Sequence, residues 1–150
     1  MEIQSQYQGC QYEGCQYPLP YKYSKYLFLS SCLMSLTALF ALYFNEGYIS
    51  IYYFLLFLTS INFWRKPQYG LRHKIDKLLV YAGVVYVFIY IYILLNKEFY
   101  RILFINLFLC VIMFNVVEHI LCFFHSTKWI VFHMAIHLYV SMMGLLVFFI

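Results

Sequence analysis

Apolar runs of about 20 residues recur along this chain, separated only by short polar links, and that pattern leaves few folds open. A helix of that length rises roughly 30 Å, the thickness of the hydrocarbon core of a bilayer. Of the 150 residues, 65 % are hydrophobic and 11 % charged, where a soluble domain carries about 25 % charge. An ordinary cytosolic enzyme is thereby excluded, and so is a disordered protein. The runs lack the period-two alternation of barrel strands, so the spanning elements are helices. The expectation is an all-α fold, a polytopic membrane helix bundle of about five transmembrane helices.

The five segments are residues 26–44, 48–64, 75–95, 99–124 and 129–150. Asn45, Glu46 and Gly47 make a helix stop after the first. The fourth, about 26 residues, exceeds what a bilayer needs and should tilt or kink. Residues 1–25 form a low-complexity tail with the repeat QYQGC-QYEGC-QYP, closed by Pro18 and Pro20. Residues 1–20 are expected to pack against nothing. Cys10 and Cys15 are open to lipidation or are free thiols. Cys32, Cys110 and Cys122 lie in apolar runs as packing residues, and no pair of C-x-x-C motifs marks a zinc knuckle. The first 24 residues hold no apolar signal core, so the first helix is expected to act as an uncleaved signal.

The cations set the orientation. Lys22, Lys25, Arg65, Lys66, Arg72, Lys74, Lys77 and Lys128 fall on one side of the predicted topology, and Lys97 and Arg101 on the other. The positive-inside rule puts the N-terminus in the cytoplasm and the C-terminus outside, which five spans allow. The net charge of +4 is too mild, and too confined to helix ends, for a nucleic-acid partner.

Depth brings the polar residues of the spans together. Ser60 closes the second span and Asp76, the sole Asp, opens the third. Glu118 and His119 sit near the inner end of the fourth. His133 and His137 lie roughly 6 and 12 Å along the fifth. All five histidines (73, 119, 125, 133 and 137) thus belong to the inner half, and the outer half has almost no ionisable side chain. Ionisable residues inside spans are functional-site hypotheses by default. His133 and His137, four apart, share a helical face and suit two ligands of one zinc ion, or a structural pair. Ser141 continues that face as packing. Asn115, Glu118, His119 and Cys122 form a stripe on the fourth helix. Glu118 there is a general acid/base, a histidine's partner, a metal ligand, or a hydrogen-bonded link between helices. The string NVVEH lacks the first His of H-x-x-E-H, and HExxH is absent, which sets aside a zinc peptidase. Asp76 also reads as a first-turn dipole partner. Trp64 with the basic link reads as an interfacial belt, and His73 and His125 as interfacial surface.

Taken together, these residues resemble the CREST superfamily of membrane hydrolases, which includes alkaline ceramidases, progestin/adiponectin receptors and Per1-type lipid remodelling proteins. The family pattern is Ser-x-x-x-His on one helix, an Asp opening the next, and His-x-x-x-His on the last. Ser60, Asp76 and the pair His133/His137 match it, over roughly residues 48–140. Trp64 stands where the pattern has its first His, and the family has seven helices against five here. The resemblance implies a zinc ion on His133 and His137, completed by His119 or, after it, Glu118 or His73. It also implies Asp76 as the base for a zinc-bound water, and Ser60 as a stabiliser of that water or of the oxyanion. The implied substrate and partner is a membrane lipid carrying an amide or ester, as in a ceramidase.

Three functions therefore stand open. One is a zinc-dependent lipid hydrolase, the second a non-catalytic scaffold or receptor-like relative, and the third a small proton or cation channel or transporter. The apolar outer half argues against the third.

Overall fold

A computed structural model describes residues 19–67, 70–89 and 97–149. These residues form five helices: α1 (Tyr21–Tyr43), α2 (Gly47–Trp64), α3 (Leu71–Ile89), α4 (Glu98–Phe123) and α5 (Trp129–Leu146). A 3-10 turn, Val147–Phe149, extends α5. Four segments, α1, α2, α4 and Trp129–Phe149, are long and apolar enough to cross a membrane. The chain is a multi-pass, all-α membrane protein. Arg72, Lys74, Asp76 and Lys77 occupy the first two turns of α3, and residues 90–95 of its expected span lie outside the described residues.

On α1 small and hydroxyl-bearing residues turn inward and large apolar ones outward. The buried face of α1 is Ser24, Leu27, Ser30, Ser31, Met34, Thr37, Ala38 and Ala41, while Leu29, Leu36, Leu39, Phe40 and Leu42 are exposed. Lipid is as apolar as leucine and gives no reason to bury it, so helices meet through small residues that allow close approach. Ser50 of α2 donates to the Ala38 carbonyl of α1 at 2.9 Å, a contact that Ala38 and Ala41 leave room for.

Successive helices run in opposite directions. One core joins Leu27 at the start of α1 to Phe63 and Trp64 at the end of α2, Cys122 at the end of α4, and Trp129 and Ile130 at the start of α5. At the other end, Phe104 and Phe108 of α4 pack on Met143 of α5, with Val87 of α3 against them. The first of these is called the basic end below, because Lys22, Lys25, Arg65, Lys66, Arg72, Lys74, Lys77 and Lys128 all flank it.

Two boundaries differ from the sequence reading. α1 begins at Tyr21, five residues early, because the Pro20 carbonyl already accepts from the amides of Tyr23 and Ser24 at 2.9 and 3.2 Å. Leu19, expected to lie in an unpacked tail, is 8 % exposed and packs in the basic-end core; residues 1–18 lie outside the described residues. α3 begins at Leu71 rather than 75, since long cationic side chains on a first turn keep their heads in water. The stops are conventional. Asn45 (φ 60°) ends α1 in the left-handed conformation, with the Glu46 amide bonded back to the Ala41 carbonyl. His125 (φ 53°) does the same after α4, where the Ser126 amide reaches the Leu121 carbonyl.

At Gly144 of α5 the backbone itself touches α1 and α2. A Cβ there would meet the Tyr53 ring and would stand 2.6 Å from the Thr37 methyl. That contact lets Tyr53 donate to the Val140 carbonyl of α5 at 2.8 Å.

Candidate functional site

Three hydrogen-bonded pairs from all five helices gather at the basic end. On α2, Ser60 lies one turn before Trp64, and the link through Pro67 and Gly70 folds α3 back against it. Ser60 Oγ donates to Asp76 Oδ1 at 3.1 Å. Both members of the Ser60–Asp76 pair are buried, at 6 % and 8 % exposure. Between α4 and α5, His133 Nδ1 lies 2.9 Å from Glu118 Oε1. Between α1 and α5, His137 Nδ1 lies 2.7 Å from Ser30 Oγ.

Aromatic rings hold these pairs against one another. The His133 and His137 rings are 4.8 Å apart, as expected for imidazoles one turn apart on a helix. The Trp64 ring stands edge-on to His133 at 4.9 Å, and the Trp129 ring lies 6.1 Å from the same imidazole and 6.3 Å from Trp64. Asp76 lies within electrostatic reach of His133. His133 is thus flanked by two carboxylates, one in direct contact and one across the site.

The network assigns the tautomers. A carboxylate only accepts, so His133 carries its proton on Nδ1 and donates to Glu118. The Ser30 hydroxyl lies 3.0 Å from the Leu27 carbonyl, to which it donates, so His137 Nδ1–H is the donor to Ser30 Oγ. In its neutral form each imidazole would then present its lone pair at Nε2. Histidines that bind metals have this arrangement, the far nitrogen tied to a carboxylate or another oxygen acceptor.

Of the residues expected at the site, the structure brings together Ser60, Asp76, His133 and His137, and it leaves out His119. Glu118 and His119 are neighbours on α4, rotated by about 100°; the first faces His133, so the second is exposed, as is Asn115. Glu118 is therefore the α4 residue at this site. Trp64 is not part of an interfacial belt: it is 2 % exposed and forms one wall of the site. His73 packs on Phe63, with rings 5.1 Å apart. His125 serves as the left-handed stop described above, and Ser141 bonds the Met34 sulfur at 3.4 Å as helix packing.

Sequence reasoning missed Ser30 and Trp129. For Ser30 a signal existed: Ser24, Ser30, Ser31 and Thr37 share the stripe of α1 that also carries Ala38 and Ala41, and in a membrane such a stripe faces inward. The reading of histidine and carboxylate spacing passed it over.

Two buried polar atoms here have no partner, Trp64 Nε1 and Glu118 Oε2. The His133/His137 pair matches the donor set for two ligands of one zinc ion, and the unpartnered Glu118 oxygen would suit a cation nearby. Among the described residues, however, no group of three His, Cys, Asp or Glu side chains is arranged to hold one ion. The Trp64 ring fills the space beside His133. An apolar cavity of about 200 Å³, lined by Tyr52, Tyr53, Tyr86, Phe104 and Met143, lies at the other end of the bundle and is not part of this site. Comparison with protein-family models, curated proteins and solved structures finds no match for the chain.

Proposed function

We propose that the basic-end cluster is a hydrolytic centre of the CREST kind, acting on a lipid amide or ester that reaches it from the bilayer, with the basic end in the cytoplasm. The observation that carries the reading is the pair of imidazoles, 4.8 Å apart, whose Nδ1 atoms are tied down by Glu118 and Ser30. His133 and His137 would hold a zinc ion, which when bound lowers the pKa of a water toward neutrality. Asp76 would take the proton, the role the resemblance gives it. Ser60 already donates to Asp76, so it orients that carboxylate rather than stabilising an oxyanion. Glu118 holds His133 in its ligand tautomer.

One observation favours a non-catalytic relative instead: the Trp64 indole packs against His133 where the resemblance would have a third imidazole. The test is zinc content of the purified protein together with hydrolysis of fluorescent ceramide and phospholipid-ester analogues. Zinc near one per chain, lost with turnover in His133→Ala and His137→Ala, supports the hydrolase. Zinc-free protein without turnover, destabilised by the same substitutions, establishes the scaffold reading.

A further inference from the structure

The eight cations of the basic end are not spread evenly. Arg65, Lys66, Arg72, Lys74 and Lys77 fall in the link that joins two walls of the site, Trp64 and Asp76, or directly after it. The first four of these are exposed. The other three basic-end cations are divided between the start of α1 (Lys22 and Lys25) and the α4–α5 turn (Lys128). Carboxylates are distributed the opposite way. Of the four that are described, Glu46 and Glu98 are exposed at the far end, while Asp76 is buried and Glu118 largely so, each hydrogen-bonded inside the cluster. The rim of the cluster therefore has cations and no exposed carboxylate among the described residues. At the far end Lys97 and Arg101 are offset by Glu46 and Glu98. Membrane orientation accounts for a surplus of cations on one side. It does not account for their concentration on the one link that runs between two walls of the site.

Spacing adds to the charge. Arg72 precedes Asp76 by four residues on α3, so it lies on nearly the same face, about 6 Å nearer the water. In a glycerophospholipid the ester carbonyls lie a comparable step below the phosphate. A guanidinium binds a phosphate through two parallel hydrogen bonds. A phosphate held at Arg72 thus sets an ester at the depth of Asp76 and His133.

We propose that the exposed cations Arg65, Lys66, Arg72 and Lys74 are the headgroup seat of an anionic phospholipid, and that the molecule presented to the cluster is an anionic phospholipid ester rather than a neutral ceramide amide; the second half rests on the hydrolase reading. The chain supplies its own reporter, since its two tryptophans, Trp64 and Trp129, both line the cluster. Purified protein in mild detergent is titrated with phosphatidylglycerol or phosphatidylcholine brominated on the upper acyl chain, and tryptophan quenching is read. Phosphatidylglycerol is expected to reach half-quenching at about tenfold lower concentration, a preference that shrinks as salt is raised. Arg72→Gln with Lys74→Gln should bring the two lipids close to parity, with circular dichroism and Tm unchanged, while Lys22→Gln with Lys25→Gln keeps the preference. Equal quenching by both lipids in the wild type overturns the seat. So does an undiminished preference in the Arg72/Lys74 variant. Turnover is measured separately on phosphatidylglycerol-ester and ceramide analogues. Faster turnover of ceramide overturns the substrate assignment; a preserved binding preference with no turnover of either supports the seat and removes the hydrolase reading beneath it.

Discussion

Substituting Trp64→His would place an imidazole where the CREST pattern has one. The Trp64 and His133 rings are 4.9 Å apart, almost the separation of His133 from His137, 4.8 Å. A third imidazole at that place stands as near to His133 as the second does. The loss is calculable. Truncating a buried Trp to Ala costs about 3–5 kcal/mol, and an imidazole keeps roughly half of the indole's ring atoms, so the metal-free variant should lose about 2 kcal/mol. For a chain of this size that is a fall in Tm of roughly 4–8 °C. Zinc at about 100 times its Kd returns about 2.7 kcal/mol, enough to cancel the loss. The assay is thermal unfolding in detergent with and without zinc, for the wild type, Trp64→His, and Trp64→Phe as a cavity control that carries no ligand. Zinc should raise the Tm of Trp64→His well beyond either of the others. An equal zinc response in Trp64→Phe, or none in Trp64→His, would refute the claim that these side chains surround one metal point.

Other outcomes follow from the packing. Gly144→Ala drives a methyl into the Tyr53 ring and the Thr37 methyl and should cost about 1–3 kcal/mol by unfolding in detergent; Gly47→Ala, with nothing within 4 Å, should be neutral by the same measurement. Ser30→Ala removes the acceptor of His137 Nδ1–H and should lower stability by about 1 kcal/mol, toward the smaller values measured for hydrogen bonds between membrane helices. His119→Ala should stay within about 0.5 kcal/mol of wild type and leave zinc content unchanged, because the side chain is exposed and outside the cluster. In intact cells an impermeant thiol reagent should label a cysteine at Glu46 and not one at Lys66; the reverse pattern would place the basic end outside.

The candidate site was partly legible because depth along a span can be counted from its ends. Ser60, Asp76, His133 and His137 each lie near the same end of their own segment, so the alternation of helices brings them to one level whatever the lateral packing. Rotation cannot be counted that way. Whether Glu118 or His119 faces inward depends on how α4 docks on α5, and a difference of about 100° separates them. The indole of Trp64 has the same ambiguity: the end of a membrane helix is where belts form, and only contact with His133 and Trp129 shows that it points inward.

By itself, the sequence determined the class of fold. Apolar runs long enough to span hydrocarbon have one way to satisfy their backbone groups along most of their length, and that is the helix. It also marked the turn after α1, since Asn45 adopts a left-handed conformation that most other side chains resist. Tertiary structure decided which polar groups pair. Ser30 and His137 are 107 residues apart, and Glu118 and His133 are on different helices. Lipid does not reward one apolar face over another, so no hydrophobic periodicity announces the docked side of each helix. The partners are chosen by close approach at small residues and by the cost of leaving a polar group alone in hydrocarbon, and both are known only once the helices are assembled.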